Sequence, residues 1–125
     1  MKISVSCAQL LPKLGDRAAN LEKMSAYVEQ IMAEKPGTNL IVFPELMTSG
    51  YEGTPEMFQE LAETLPNGES MQVMGALAKK HHVHIIYGLP ERDPVLTDVL
   101  YNAAVLINSD GIAVGTYRKV HPFAD

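Results

Sequence analysis

Two charged side chains in this 125-residue sequence stand where an apolar run gives way to a turn: Glu45 follows Leu40-Ile41-Val42-Phe43-Pro44, and Lys119 follows Tyr117-Arg118 at the end of the last apolar segment. A carboxylate partly desolvated by Phe43, Pro44 and Leu46 has a raised pKa and can take a proton near neutral pH. An ammonium at Lys119 can stabilise an oxyanion developing on a carbonyl. Taken singly, each also reads as a solvated residue at a strand end. Glu91 is a further carboxylate beyond an apolar run, either part of the same site or an exposed loop residue beside Arg92. Chemistry at a carbonyl also calls for a nucleophile, and the single cysteine is poorly placed for it. Cys7 alternates with Ile3 and Val5 on one strand face and reads as a small core side chain. Alone, it can form neither an internal disulfide nor a thiolate metal site. His81, His82 and His84 lie close together, but adjacent helical residues diverge and no cysteine or carboxylate is near, so no metal site is expected there.

The elements that must position these residues follow from periodicity. Residues 2–9 alternate as a strand. Asp16 is an N-cap, and Leu21, Met24, Val28 and Ile31 place an apolar stripe on a helix that Pro36-Gly37 stops. The continuous run at 40–43 predicts a strand covered on both faces, as in a parallel sheet. Thr54-Pro55 opens a second helix, carrying Phe58, Leu61, Ala62 and Leu65, which ends at Pro66-Asn67-Gly68. A third, with Met71, Met74, Leu77 and Ala78, closes on Lys79-Lys80-His81-His82, cations suited to a helix C-terminus. A strand at 83–89 follows, then a polar loop at 90–98. The segments at 100–107 and 112–117 form a hairpin around Asn108-Ser109-Asp110-Gly111. Alternating strands and helices make this an α/β layer with a mixed sheet.

Composition narrows the function. With 46% hydrophobic residues the chain can bury a core of its own. Its net charge of -5, without runs of like charge, does not suit nucleic acid as a partner. No apolar stretch is long enough to cross a bilayer and no signal-peptide core follows Met1-Lys2, so the expectation is a cytoplasmic protein without membrane contact. A nucleotide-binding α/β domain is disfavoured, since no glycine-rich phosphate loop follows the first strand.

The residues around Glu45 and Lys119 form an ordered set. Leu40-Ile41-Val42-Phe43-Pro44-Glu45, Thr48-Ser49-Gly50-Tyr51, Tyr101-Asn102-Ala103-Ala104 and Tyr117-Arg118-Lys119-Val120-His121-Pro122-Phe123, with Ala8-Gln9 and Tyr87-Gly88 leading to Glu91 in support, together resemble the nitrilase superfamily of carbon–nitrogen hydrolases over essentially the whole chain. That resemblance implies the N-terminal half of a four-layer α-β-β-α sandwich, and a Glu-Lys-Cys triad with Glu45 as general base and Lys119 as oxyanion stabiliser. It implies no metal or organic cofactor, a small-molecule amide or nitrile substrate and homo-oligomers. It also implies a pocket lined by Tyr51 and a role for Glu91 in orienting the lysine or the substrate. The family's nucleophilic cysteine follows the lysine motif, whereas this sequence stops at Asp125 in a loop, so residues 1–125 are expected to be an incomplete N-terminal portion of the domain. Such a portion would be inactive alone, and by leaving sheet surface uncovered it would be poorly soluble or associate. The principal rival is a non-catalytic fragment or binding module of the same fold; an acyltransferase using the same thioester is a more distant variant.

Overall fold

Asp16 does cap the first helix, its carboxylate accepting from the Ala19 N–H at 3.0 Å, and the computed structural model, which describes residues 1–120, builds outward from that helix. The elements are β1 (Val5–Cys7), α1 (Arg17–Glu34), β2 (Leu40–Val42), α2 (Pro55–Leu61), α3 (Glu69–His81), β3 (His84–Arg92), β4 (Leu100–Ile107) and β5 (Ala113–Arg118). They form one five-stranded sheet in the order β1-β2-β3-β4-β5. β1, β2 and β3 run parallel, and β4 and β5 return antiparallel. The C-terminal ends of β1, β2, β3 and β5 therefore share one edge, the edge where ligands bind in open α/β sheets.

Alternation along the strands divides their side chains between two unlike faces. One carries Ile41, Phe43, Ile85, Tyr87, Leu89, Ala103, Val105 and Ile107, all buried in one cluster with Leu21, Met24 and Val28 of α1 and Met71, Met74 and Ala78 of α3. The other carries Val5, Cys7, Leu40, Val42, Ile86, Leu106 and Tyr117, which are half-buried or exposed. No layer of the described residues covers that second face.

Three expectations are corrected. The first strand is only Val5–Cys7, and Cys7 is exposed, because its face of β1 is the uncovered one; Ile3 and Val5 are 61% and 51% exposed. The second helix ends at Leu61, leaving Leu65 outside it. The polar segment expected to be all loop is strand up to Arg92. Pro90 is tolerated there because its pair with Asn102 is a non-hydrogen-bonded one. Its carbonyl turns outward to accept from the Glu63 N–H at 3.0 Å, and the Glu63 carbonyl accepts from Arg92 at 2.8 Å, so Glu63 forms a short parallel bridge along this edge of β3. The hairpin at 108–111 turns as expected: Gly111 has φ 81°, a left-handed conformation, and the Asn108 side chain accepts from Asp110 and Ile112.

Candidate active site

Glu45 lies three residues beyond β2 on a segment, 46–50, that is buried throughout, which is unusual for a loop because its backbone groups need partners. Those partners come from three directions. Gly88 of β3 accepts from the Met47 N–H at 2.9 Å and donates to the Pro44 carbonyl at 3.3 Å. Asn20 of α1, fully buried, donates to the carbonyls of Thr48 at 3.1 Å and Lys13 at 2.8 Å and accepts from the Lys13 N–H at 2.6 Å. The Ser49 carbonyl accepts from Gly15 at 2.8 Å. Leu46 itself takes a positive φ of 49°, a conformation that costs a non-glycine residue on the order of 1 kcal/mol and is held here by its docked neighbours.

The approach of this segment to β3 depends on Gly88. A Cβ at that position would sit 2.5 Å from the Leu46 nitrogen and 2.8 Å from the Glu45 Cα. Only hydrogen in place of a side chain lets the Glu45 backbone lie against the strand.

From that mooring the Glu45 side chain crosses the end of the open face and meets Lys119. The Lys119 Nζ donates to Glu45 Oε1 at 2.7 Å, and the Asn102 Nδ2 donates to the same oxygen at 3.1 Å. The Lys119 backbone is fixed in turn, its N–H donating to the Asn102 carbonyl at 2.8 Å. The pair lines a cleft of about 300 Å³ whose apolar walls include Val42, Ile86, Ala104 and Tyr117. Its Glu45 and Lys119 side chains are 40% and 33% exposed, so the desolvated carboxylate expected from Phe43, Pro44 and Leu46 is instead solvent-accessible and ion-paired. The hydrogen bond to Glu45 raises the Lys119 pKa above the ordinary lysine value; partial burial opposes this, while the charges of Glu45 and Tyr51 add to it. Lys119 is thus held in its protonated form.

The other expected residues fall in different places. Tyr51, 47% exposed, is near enough to Lys119 to act on its charge but does not line the cleft. Glu91 is on the opposite side of the sheet, sharing the parity of Ile85, Tyr87 and Leu89, with 4% exposure. Its two oxygens accept from the Arg118 Nε and Nη2 at 2.9 and 3.0 Å, a bidentate pair that raises the arginine pKa. Arg118 stacks on the Tyr101 ring at 3.9 Å, and the Tyr101 hydroxyl donates to Asp93 at 2.6 Å. That hydroxyl, together with the N–H groups of Leu96 and Val95, holds the Asp93 pKa down to about 2. Glu91 therefore does not reach Lys119 or the cleft directly; it grips the residue before Lys119 from beneath. Cys7 pairs in register with Val42 and lines none of the cleft. His81 ends α3 and bonds Glu29 at 3.0 Å, His82 is its left-handed cap, and among the described residues no group of three His, Cys, Asp or Glu side chains could hold a metal ion. No helix of the described residues is long and apolar enough to cross a membrane. His121, Pro122 and Phe123 of the last motif lie outside the described residues.

Asn102 and Gly88 stand in the quoted motifs, yet sequence reasoning assigned them no role. Their neighbours hinted at strand ends, but contact with Glu45 depends on a register between segments 57 residues apart for Asn102.

The carbon-nitrogen hydrolase family profile matches residues 4–125. A probable nitrilase of Schizosaccharomyces pombe is 46% identical over 98% of this chain and 45% of its own length. An omega-amidase of Saccharomyces cerevisiae is 36% identical over 98% of the chain and 42% of its own. The crystal structure of a Saccharomyces cerevisiae member of branch 10 of the nitrilase superfamily superposes with a TM-score of 0.84 at 34% identity, covering 95% of this chain and 44% of that one. The chain thus spans less than half the length of these relatives.

Proposed function

This chain belongs to the carbon–nitrogen hydrolase family, and on that premise we propose that Glu45 and Lys119 are the base and the oxyanion-stabilising cation of a Glu-Lys-Cys triad that hydrolyses a small linear amide or N-carbamoyl compound. The observation that carries this reading is the 2.7 Å contact between Lys119 Nζ and Glu45 Oε1 at the wall of a cleft on the sheet's ligand-binding edge. The nucleophile is a cysteine from sequence beyond these residues, since Cys7 lies off the cleft and the relatives are more than twice as long.

In the proposed cycle the Glu45 carboxylate takes the thiol proton as sulfur bonds to the substrate carbonyl carbon, and the carbonyl electron pair moves onto oxygen beside the Lys119 ammonium. The oxyanion collapses, the carbon–nitrogen bond breaks, and the Glu45 proton leaves with ammonia or an amine. A thioester remains. Water, giving its proton to Glu45, attacks the thioester carbonyl; the carboxylic acid departs and the thiol recovers its proton. Every step is carried by side chains, without a cofactor. An amide is preferred to a nitrile because the omega-amidase relative bears that chemistry in its name, although the nitrilase-named relative is more similar. A cytoplasmic homo-oligomer belongs to the same reading.

Assays of ammonia release by the natural gene product test this. Glu45→Gln and Lys119→Ala are each expected to abolish turnover while far-UV circular dichroism stays unchanged. Near-wild-type turnover in either variant removes that residue from the triad. A reading frame with no cysteine beyond Asp125 would instead leave a fold without catalytic function.

A further inference from the structure

Asn102 touches both members of the pair at once. Its side chain donates to Glu45 Oε1 at 3.1 Å, and its backbone carbonyl accepts the Lys119 N–H at 2.8 Å. A carboxylate only accepts, so the amide nitrogen is the end of Asn102 that must face it. Lys119 Nζ approaches that same oxygen at 2.7 Å, and Oε2 takes part in neither bond. Two donors on one oxygen fix the plane of the carboxylate and leave the second oxygen as the one available to a proton. The amide is also a neutral donor: unlike the Lys119 ammonium it carries no charge for a nearby oxyanion to attract, so it keeps its hold on Glu45 while the ammonium is drawn to the substrate.

We propose that Asn102 is a positioning residue for Glu45, fixing which carboxylate oxygen exchanges protons. The inference rests on the reading of Glu45 as general base. It adds that the orientation of the base is set from β4, by a side chain acting through Glu45. A donor favours the ionised form of a carboxylate, so its removal is expected to move proton uptake by the base of the variant to higher pH.

The test uses the natural gene product with two substitutions. Asn102→Asp is isosteric and exchanges the donor for an acceptor, and Asn102→Ala deletes it. Both leave the backbone carbonyl to receive Lys119. For Asn102→Ala, kcat is expected to fall about tenfold with KM nearly unchanged, and the acid limb of the pH–rate profile to move up by about one unit, as expected for loss of one hydrogen bond to a charged group. Asn102→Asp is expected to move the limb further in the same direction, because a second carboxylate disfavours ionisation of the first. A purely structural role would lower the denaturation midpoint and leave the limb in place. An unmoved acid limb in Asn102→Asp, with Glu45→Gln inactive, overturns the role of Asn102 and keeps Glu45 as base. Full activity in Glu45→Gln overturns both.

Discussion

Replacing Gly88 by alanine is the sharpest test of how Glu45 is held. The added Cβ would stand 2.5 Å from the Leu46 nitrogen, 2.8 Å from the Glu45 Cα and 3.0 Å from the Glu45 carbonyl carbon. All three neighbours are backbone, so no rotamer change relieves the contact. Restoring an ordinary separation moves the Glu45–Leu46 backbone by roughly 1 Å, and misplacement on that scale costs about a hundredfold in rate where catalytic geometry matters. The same shift strains the 2.9 Å bond from Met47 to Gly88 and the 3.3 Å bond from Gly88 to Pro44. Overpacking of this kind destabilises by about 1–3 kcal/mol. Urea denaturation of the natural gene product is expected to show a lower midpoint with an unchanged slope, and ammonia release a large fall in kcat. A midpoint and a turnover both equal to wild type would show that the segment carrying Glu45 is not held by its fit to β3.

Asn20→Leu leaves the buried Thr48 carbonyl and the Lys13 N–H without this partner, and is expected to lower stability by about 2 kcal/mol in denaturant titrations. Arg118→Leu strands the buried Glu91 carboxylate, so the single variant is expected to unfold at lower denaturant than the Arg118→Leu/Glu91→Leu double variant; the reverse order would show that the pair does not compensate that burial. Asp93 has a folded-state pKa of about 2 against 3.8 ordinarily, so its stabilising effect is complete above about pH 4 and is lost as pH falls toward 2. The difference in melting temperature between wild type and Asp93→Asn is therefore expected to shrink over that window, and a constant difference would refute the assignment. The 125-residue chain alone is expected to self-associate through the open face carrying Val5 and Tyr117, 51% and 63% exposed, and a monomer in sedimentation at micromolar concentration would contradict this.

Much of the architecture was legible because periodicity is local. The stripe Leu21, Met24, Val28 marks α1 without reference to anything outside it, and Asn108 to Gly111 specifies a turn from its own chemistry. What stayed hidden depended on partners far along the chain. Pro90-Glu91-Arg92 has the composition of a loop, and it is strand because Glu63, 27 residues before Pro90, satisfies the outward backbone groups that β4 does not. Cys7 shows the same limit in another form. Alternation correctly places Ile3, Val5 and Cys7 on one face, but whether a face is covered is a property of the layers around it, and no pattern within β1 carries that information.

The site divides along the same line. That Glu45 and Lys119 end strands follows from the apolar runs before them, whereas their contact joins residues 74 apart and requires the register of β3, β4 and β5 together. Glu91 marks the one place where a local signal was available and outweighed. Counting from Ile85, Tyr87 and Leu89 puts Glu91 on the buried face, away from a carboxylate that crosses the open one. Its proximity to Lys119 in the fold is genuine, but it runs through Arg118, whose side chain points to the opposite face from the lysine next to it. Strand alternation thus separates two charged pairs that share one strand end: Glu91–Arg118 anchors it below, and Glu45–Lys119 occupies the cleft above. Because Arg118 is bound on both carboxylate oxygens while Lys119 shares one oxygen with Asn102, the lower pair is built to stay and the upper pair to exchange partners.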